Sequence, residues 1–207
     1  MPPPVAFTDY IAAFAQSPFA AWGVRAPWEL TREAAPVVQA LVDQLPAGEY
    51  AVADGVAIHH TAWVEAGAVL KGPLVLGPRC RVAAGAYLRG GNWLAGDNTL
   101  GPGCELKSSF LFAGSRLAHF NFLGDSVVGA DVNFEAGSIV CNHRNERADT
   151  QVHVRLPSGL HATGCDKFGA LVGDGSRIGA NAVLAPGSLL APGAVVQRLA
   201  LWDAEAE

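Results

Sequence analysis

A large apolar residue returns at every sixth position of this chain: Val52, Ile58, Val64, Leu70, Leu76, Val82, Leu88, Leu94, Leu100, Leu106 and Phe112. A small residue often follows it (Ala53, Gly77, Ala83, Ala95, Gly101, Ala113), and glycine or proline is frequent just beyond. The beat returns near the end as Val172, Ile178, Leu184, Leu190 and Val196. Helices repeat with a period of about 3.6 and strands of a sandwich with a period of 2, so neither explains a beat of six. A short strand plus a turn does. Three such units close a triangular coil of about 18 residues whose recurring aliphatic points inward, and stacked coils bury one continuous column. The chain is predicted to be an all-β solenoid, a parallel β-helix of hexapeptide repeats.

Composition fits that fold. The chain is 50% hydrophobic and only 16% charged, too apolar for a disordered polymer, yet it carries 24 glycines and 13 prolines. A net charge of −5 argues against nucleic acid as a partner. Cys80, Cys104, Cys141 and Cys165 are widely spaced with no CxxC pair, so buried thiols in a reducing cytoplasm are expected rather than a zinc site or a disulfide framework. Met1–Tyr10 has neither a basic nor an apolar leader region, and no signal peptide is expected. Ile178–Gln197 is uncharged over the length of a membrane span, but Gly179, Asn181, Pro186, Gly187, Pro192 and Gly193 interrupt it. It reads as soluble, with no membrane partner.

Three regions depart from the regular beat. Residues 1–50 are predicted to form an N-terminal helical cap over the open end of the solenoid. Thr8 would cap a first short helix, and Trp28–Leu45 would form a helix kinked at Pro36. The solenoid proper is predicted over 51–199, with a C-terminal tail at 200–207. Near residue 118 the beat shortens, and Ala118–Phe122 and Leu123–Val127 fit as five-residue rungs. Between 143 and 167 it vanishes. There Val152, Val154 and Leu156 alternate before Pro157-Ser158-Gly159, the pattern of a hairpin arm leaving the prism.

Two constellations could carry chemistry. Lys71, Arg89 and Lys107 each follow an inward aliphatic at a spacing of 18, which stacks them in one column. Such a column is either a clamp for phosphate or carboxylate or three solvated turn residues. His119 lies beside the shortened rungs, above Ala83 and Gly101, with open space next to its ring. It is either a hydrogen-bonded polar residue or a general base, since imidazole takes and releases a proton near neutrality. The six histidines (His59, His60, His119, His143, His153, His161) contain no His-x4-His pair of the kind hexapeptide-repeat carbonic anhydrases use for zinc, and no metal is expected.

The string Gly114-Ser115, His119, Leu123-Gly124-Asp125, Val132-Asn133, Ala136-Gly137 and Cys141-Asn142 identifies a resemblance. Arg89 through Asn142 resembles, without an evident gap, the acetyltransferase domain of the bifunctional glucosamine-1-phosphate acetyltransferase/N-acetylglucosamine-1-phosphate uridylyltransferases. Ala26-Pro27-Trp28-Glu29, Asp166-Lys167-Phe168-Gly169-Ala170 and Gly173-Asp174-Gly175 look closer to a subgroup of hexapeptide transferases linked to sugar nucleotides. The resemblance implies a left-handed coil, a homotrimer with sites between neighbouring prisms, and acetyl-CoA as acyl donor without a metal. It also implies roles. His119 would be the general base that deprotonates a sugar amine, and Glu105 would orient or polarise it. Arg89 and Lys107 would hold a sugar phosphate, and Lys71 extends their column. Asn133 and Asn142 would position the sugar and its acetyl group. Ala136 would contact the thioester, and Gly179 and Ala180 the coenzyme arm.

The departures from that family matter. Phe122 and His143 stand where the family has tyrosines, and a lysine expected shortly after is absent, with Arg144 or Arg147 as substitutes. Removing a polar contact from a site built for one changes discrimination between acceptors. The uridylyltransferase half and its glycine-rich nucleotide loop have no counterpart in these 207 residues. Two functions follow as expectations. One is an N-acetyltransferase for an amino-sugar phosphate or a nucleotide-linked amino sugar. The other is a non-catalytic oligomerising or sugar-phosphate-binding module partnered with a separate nucleotidyltransferase.

Overall fold

The computed structural model describes residues 5–206; residues 1–4 of the expected cap and Glu207 of the expected tail lie outside the described residues. Three parallel sheets run along a triangular prism, and each coil gives one short strand to each sheet. The first sheet runs from Val56–His59 to Ser188–Leu190, with Tyr50–Ala53 added antiparallel at its start. The second runs from Trp63–Val64 to Val195–Val196 and the third from Val69–Leu70 to Leu201–Trp202, each with 7 strands. This is the left-handed hexapeptide-repeat β-helix that the beat and the resemblance predict. The uncharged stretch after Ile178 forms short strands, and no helix among the described residues is long and apolar enough to cross a membrane.

The inward column follows the beat with three corrections. Val52 is 54% exposed, because it lies on the antiparallel strand outside the coils. Leu111 rather than Phe112 points into the prism, so a five-residue rung separates Leu106 from Leu111. A second short rung separates Leu123 from Val128, close to the predicted one; the shortening predicted at Ala118–Phe122 falls instead before Leu111. Register records the change. Arg81 faces Thr99, but Thr99 faces Arg116, at an offset of 17 rather than 18.

A second core lies outside the prism. Phe112, displaced from the column, packs 5.3 Å from Trp93 and 6.0 Å from Phe14, between ring centroids. The outward residues of the first sheet (Ala57, Val75, Trp93, Phe110, Val127, Leu171) are all buried. They meet Phe7, Ile11, Phe14 and Phe19 of the N-terminal segment, which forms three 3-10 turns at Phe7–Asp9, Phe14–Gln16 and Ala20–Val24. Two helices, α1 (Pro27–Arg32) and α2 (Ala34–Val42), complete the layer. The N-terminal segment therefore covers a side face of the prism and not its open end. Ile58, Val64 and Leu70 of the first coil stay only partly buried.

Local chemistry explains the helix boundaries. Thr8 caps nothing: the first turn follows Ala6, with no side-chain cap. The Glu29 carboxylate accepts the Ala26 amide at 2.9 Å and so starts α1. The helices part at Glu33 (φ −95, ψ 17) and not at Pro36, which sits in the first turn of α2 where no amide is needed.

The excursion is a hairpin, His153–Leu156 against Gly159–Ala162, with Leu156 opposite Gly159 across a two-residue turn. It leaves the coils as predicted but folds back against a side of the prism instead of projecting away from it. Val152 and Val154 are fully buried against the same side layer, beside Phe168 and Leu171. The predicted tail also differs, because Leu201–Trp202 pairs with Val183–Leu184 and extends the solenoid past residue 199.

Close stacking makes one glycine indispensable. A Cβ on Gly101 would lie 1.7 Å from the Ala118 carbonyl oxygen, a backbone atom that cannot swing away. Gly101→Ala is expected to destabilise the fold by at least ~1–3 kcal/mol. The urea midpoint measures it, and an unchanged midpoint would contradict the coil spacing described.

Candidate active site

The outward face of the third sheet gathers most of the residues to which the resemblance assigns an acceptor. Lys107 lies directly opposite Arg89 and Glu105 opposite Tyr87, while the Lys71 amide donates to the Leu88 carbonyl at 2.9 Å. The predicted column is real, but it is not a bare cationic clamp. Arg89 pairs with Glu105 at 2.7 Å. The Lys107 ammonium donates to both oxygens of Asp125, at 2.8 and 2.7 Å. Lys71 and Arg89 both approach the Tyr87 ring, at 5.1 and 5.9 Å from its centroid. Carboxylates and an aromatic face thus separate cations that would otherwise repel.

Asp125 is the hub of this face. It is buried, its residue adopts a positive φ of 46, and it also accepts the Asn142 side-chain amide. Gly124, one residue earlier, occupies the place of the next cation in the column. A Cβ there would come within 2.7 Å of the Asn142 amide nitrogen and 2.8 Å of the Phe122 ring. Glycine therefore lets Phe122 and Asn142 close over the sheet. Lys107 and Asp125 line a cavity of about 480 Å³ together with Arg32 of α1 and Cys165, Asp166 and Lys167 at the end of the arm. His143 Nδ1 sits 3.0 Å from the Asp166 carbonyl oxygen and pins the start of the arm to its end.

Arg144 and Arg147 do not face this cavity. Arg144 is 3% exposed and bonded to Asp203, and Arg147 pairs with Glu205 at 2.7 Å. Neither is available as the substitute for the family's missing lysine, because carboxylates of the C-terminal segment already hold both.

His119 stands at the corner between the second and third sheets. The Asn121 side chain accepts the His119 amide at 3.0 Å, and the His119 carbonyl accepts the Gly137 amide at 2.8 Å. The ring is exposed and has no hydrogen bond or ion pair among the described residues. Glu105 makes its ion pair with Arg89 and none with His119. The same corner stacks Ala136 and Ala180 on later coils: the Ala136 carbonyl accepts the Asn181 amide at 3.0 Å, while its own amide is unpaired among the described residues. The Ala180 amide is occupied, donating to Glu135 at 2.8 Å. Arg198, foremost, and that amide hold the Glu135 carboxyl down at about 2. Gly179 belongs to the ladder, donating to the Val196 carbonyl at 2.9 Å.

Beside His119 the second sheet opens into a groove of about 980 Å³. Ala83, Gly101 and Ala118 form its floor, so the open space predicted beside His119 is present. The ring itself stands one place further along, after Pro102 in register, because of the five-residue rung. Asn133 lies on this second sheet between Arg116 and Arg177, and not with Asn142. The arginines of this face were missed from sequence. A constant spacing of 18 separates Arg81 from Arg116; only the change of offset to 17 aligns them.

No protein-family model matches the chain. It is 36% identical over 105 residues to a bifunctional sugar-1-phosphate nucleotidylyltransferase/acetyltransferase of Sulfurisphaera tokodaii, covering 49% of this chain and 25% of that protein. It is 32% identical over 149 residues to the uncharacterized acetyltransferase YaiX of Escherichia coli, covering 72% of this chain and 61% of that one. The chain is thus similar, over part of its length, to proteins that are or contain acetyltransferases. It spans a quarter to three-fifths of the length of these relatives. Among solved structures, the Bacillus cereus N-acyltransferase AntD, in complex with dTDP-4-amino-4,6-dideoxyglucose and coenzyme A, aligns over 72% of this chain and 70% of its own. The TM-score is 0.36 and the identity 13%, a likeness that carries no functional argument.

Proposed function

We propose that the chain is an acetyl-CoA-dependent N-acetyltransferase for an amino-sugar phosphate or a nucleotide-linked amino sugar, with His119 as general base. The observation that carries this reading is the unpartnered His119 ring at a corner that also presents the unpaired Ala136 amide. An amine attacking a thioester must lose a proton, and an imidazole without an internal partner is free to take it. An amide N–H near the reacting carbonyl would stabilise the oxyanion that forms. Ala136 has the donor to spare, whereas Ala180 has already used its own. Similarity to acetyltransferase-bearing relatives supports the same chemistry. Coenzyme A is the acyl donor in this reading, held along the corner by Ala136, Gly179 and Ala180. It supplies the acetyl group as a thioester.

The acceptor face would hold anionic sugar differently from a simple basic clamp. Arg89 and Lys107 carry their own carboxylates, so a phosphate would have to share them with Glu105 and Asp125. Arg32, which lies 3.7 Å from Glu33, and Lys167 line the same cavity beside Asp166. Phe122 offers a ring with no hydroxyl, which favours an acceptor that buries an apolar group against it. A homotrimer would bring a neighbour's surface to the corner.

The internal pairing of Arg89 and Lys107 also favours the second reading, a binding module without turnover. Thiol release from acetyl-CoA, measured with a panel of amino-sugar phosphates and nucleotide-linked amino sugars, separates the two. Release with at least one acceptor is expected. Tight binding of an acceptor without release from any would leave the module.

A further inference from the structure

Three arginines on one face of this acidic chain hold no carboxylate among the described residues. Arg81, Arg116 and Arg177 are exposed, and none of their guanidinium groups makes a hydrogen bond or ion pair among the described residues. They occupy one outward column of the second sheet, whose register runs Trp63, Arg81, Thr99, Arg116, Asn133, Arg177. Rungs lie about 4.8 Å apart, so Arg81 and Arg116 stand roughly 10 Å apart with the neutral Thr99 between them. At the lower end Trp63 is 68% exposed, a costly position for an indole with nothing to cover it. At the upper end is His119. Trp63, Arg81, Thr99, Arg116 and His119 all line the groove of about 980 Å³ described above. Arg79 on its wall is neutralised by Asp97 at 2.6 Å, and Glu65 engages the Ala84 amide at 2.9 Å.

We propose that this groove binds a nucleoside diphosphate group, with its base stacked on Trp63, its phosphates on Arg81 and Arg116, and the attached group directed toward His119. Stacking suits any base, since each has a π-face, and guanidinium groups bind phosphate through paired hydrogen bonds. The floor of Ala83, Gly101 and Ala118 leaves room for a ligand to lie along the sheet. The direction of the transferred or accepting group rests on His119 being the base; the binding itself does not. Two ligands of the proposed reaction carry such a group, a nucleotide-linked amino sugar and coenzyme A.

Isothermal titration of the full chain at fixed low salt with UDP, dTDP, 3′-phospho-ADP and inorganic pyrophosphate tests the inference. Nucleoside diphosphates are expected to bind more tightly than pyrophosphate. Trp63→Ala should weaken them by roughly tenfold and leave pyrophosphate unchanged. Arg81→Ala and Arg116→Ala should each weaken all of them by roughly tenfold or more. Preference for UDP or dTDP assigns the groove to the acceptor, and preference for 3′-phospho-ADP assigns it to the donor; either supports the site. No binding to the wild type overturns it, and so does binding indifferent to these substitutions. Loss of binding only in variants whose sedimentation also changes makes this face a contact between copies, and likewise overturns it. Because no turnover is read, a chain that binds here yet never releases thiol keeps the groove and loses the enzyme.

Discussion

His119→Ala is expected to lower thiol release from acetyl-CoA by roughly a hundred- to ten-thousandfold, the range a positioned general base contributes. The backbone at this corner is held by the Asn121 side chain and the Gly137 amide, neither of which depends on the imidazole. The ring is exposed, so its removal leaves no cavity. Stability and sedimentation should therefore match the wild type while turnover falls. Because a base acts in the chemical step, the loss should fall on kcat with little change in the KM for acetyl-CoA. Wild-type turnover in the alanine variant would eliminate His119 as the base. Glu105 is not expected to share this effect, since its carboxylate is committed to Arg89.

Arg144→Ala should be the most damaging substitution of a charged residue for stability, at about 3–5 kcal/mol. Arg144 is 3% exposed and bonds both oxygens of Asp203, at 2.9 and 2.6 Å, and the Pro186 carbonyl at 3.3 Å. Glu205 lies 3.4 Å away and is shared with Arg147. Through these contacts one buried guanidinium ties the start of the arm to the final rung and the C-terminal segment. Its removal strands the Asp203 carboxylate and frees that segment, so a lower urea midpoint and faster proteolysis near residue 203 are expected. The pH dependence has a definite sign. The Arg144 hydrogen bond, foremost, holds the Asp203 carboxyl below its usual 3.8. A carboxyl depressed on folding stabilises the protein above its unfolded pKa, and that contribution fades as pH falls through the folded one. Wild type and variant should therefore converge in stability below about pH 4. A constant gap down to pH 2, or no gap at neutrality, would remove Arg144 from this role.

The prism was legible because every rung needs one inward aliphatic. That requirement is periodic, and Ile58 to Leu106 display it without a break. The handedness and the candidate roles of His119, Asn142 and Ala136 came from the HxxxLGD…CN resemblance, since spacing alone assigns no chemistry. Two errors share one cause. Leu111 and Phe112 are both large and apolar, and the beat cannot tell which of two adjacent residues turns inward when both sides of the strand are buried. Phe112 looked like the eleventh member of the column, whereas it belongs to the side layer with Phe14 and Trp93. That single slip hid the five-residue rung, and with it the alignment of Arg81 with Arg116.

The sequence by itself determined the solenoid, the approximate place of the excursion and the rise of Lys71, Arg89 and Lys107 in one column. Each is a matter of spacing along the chain, and a regular coil converts spacing directly into position. Tertiary structure alone decided which charges are free. Asp125 neutralises Lys107 and Glu105 neutralises Arg89, while Arg81, Arg116 and Arg177 have no carboxylate on their column. It also decided where the apolar excess goes, into a side layer built by the N-terminal segment and the hairpin against the first sheet. Both outcomes depend on side chains from different coils, or from outside the coils, meeting across a few ångströms. Contact at that range is set by a one-residue shift in register, which a periodic pattern averages away.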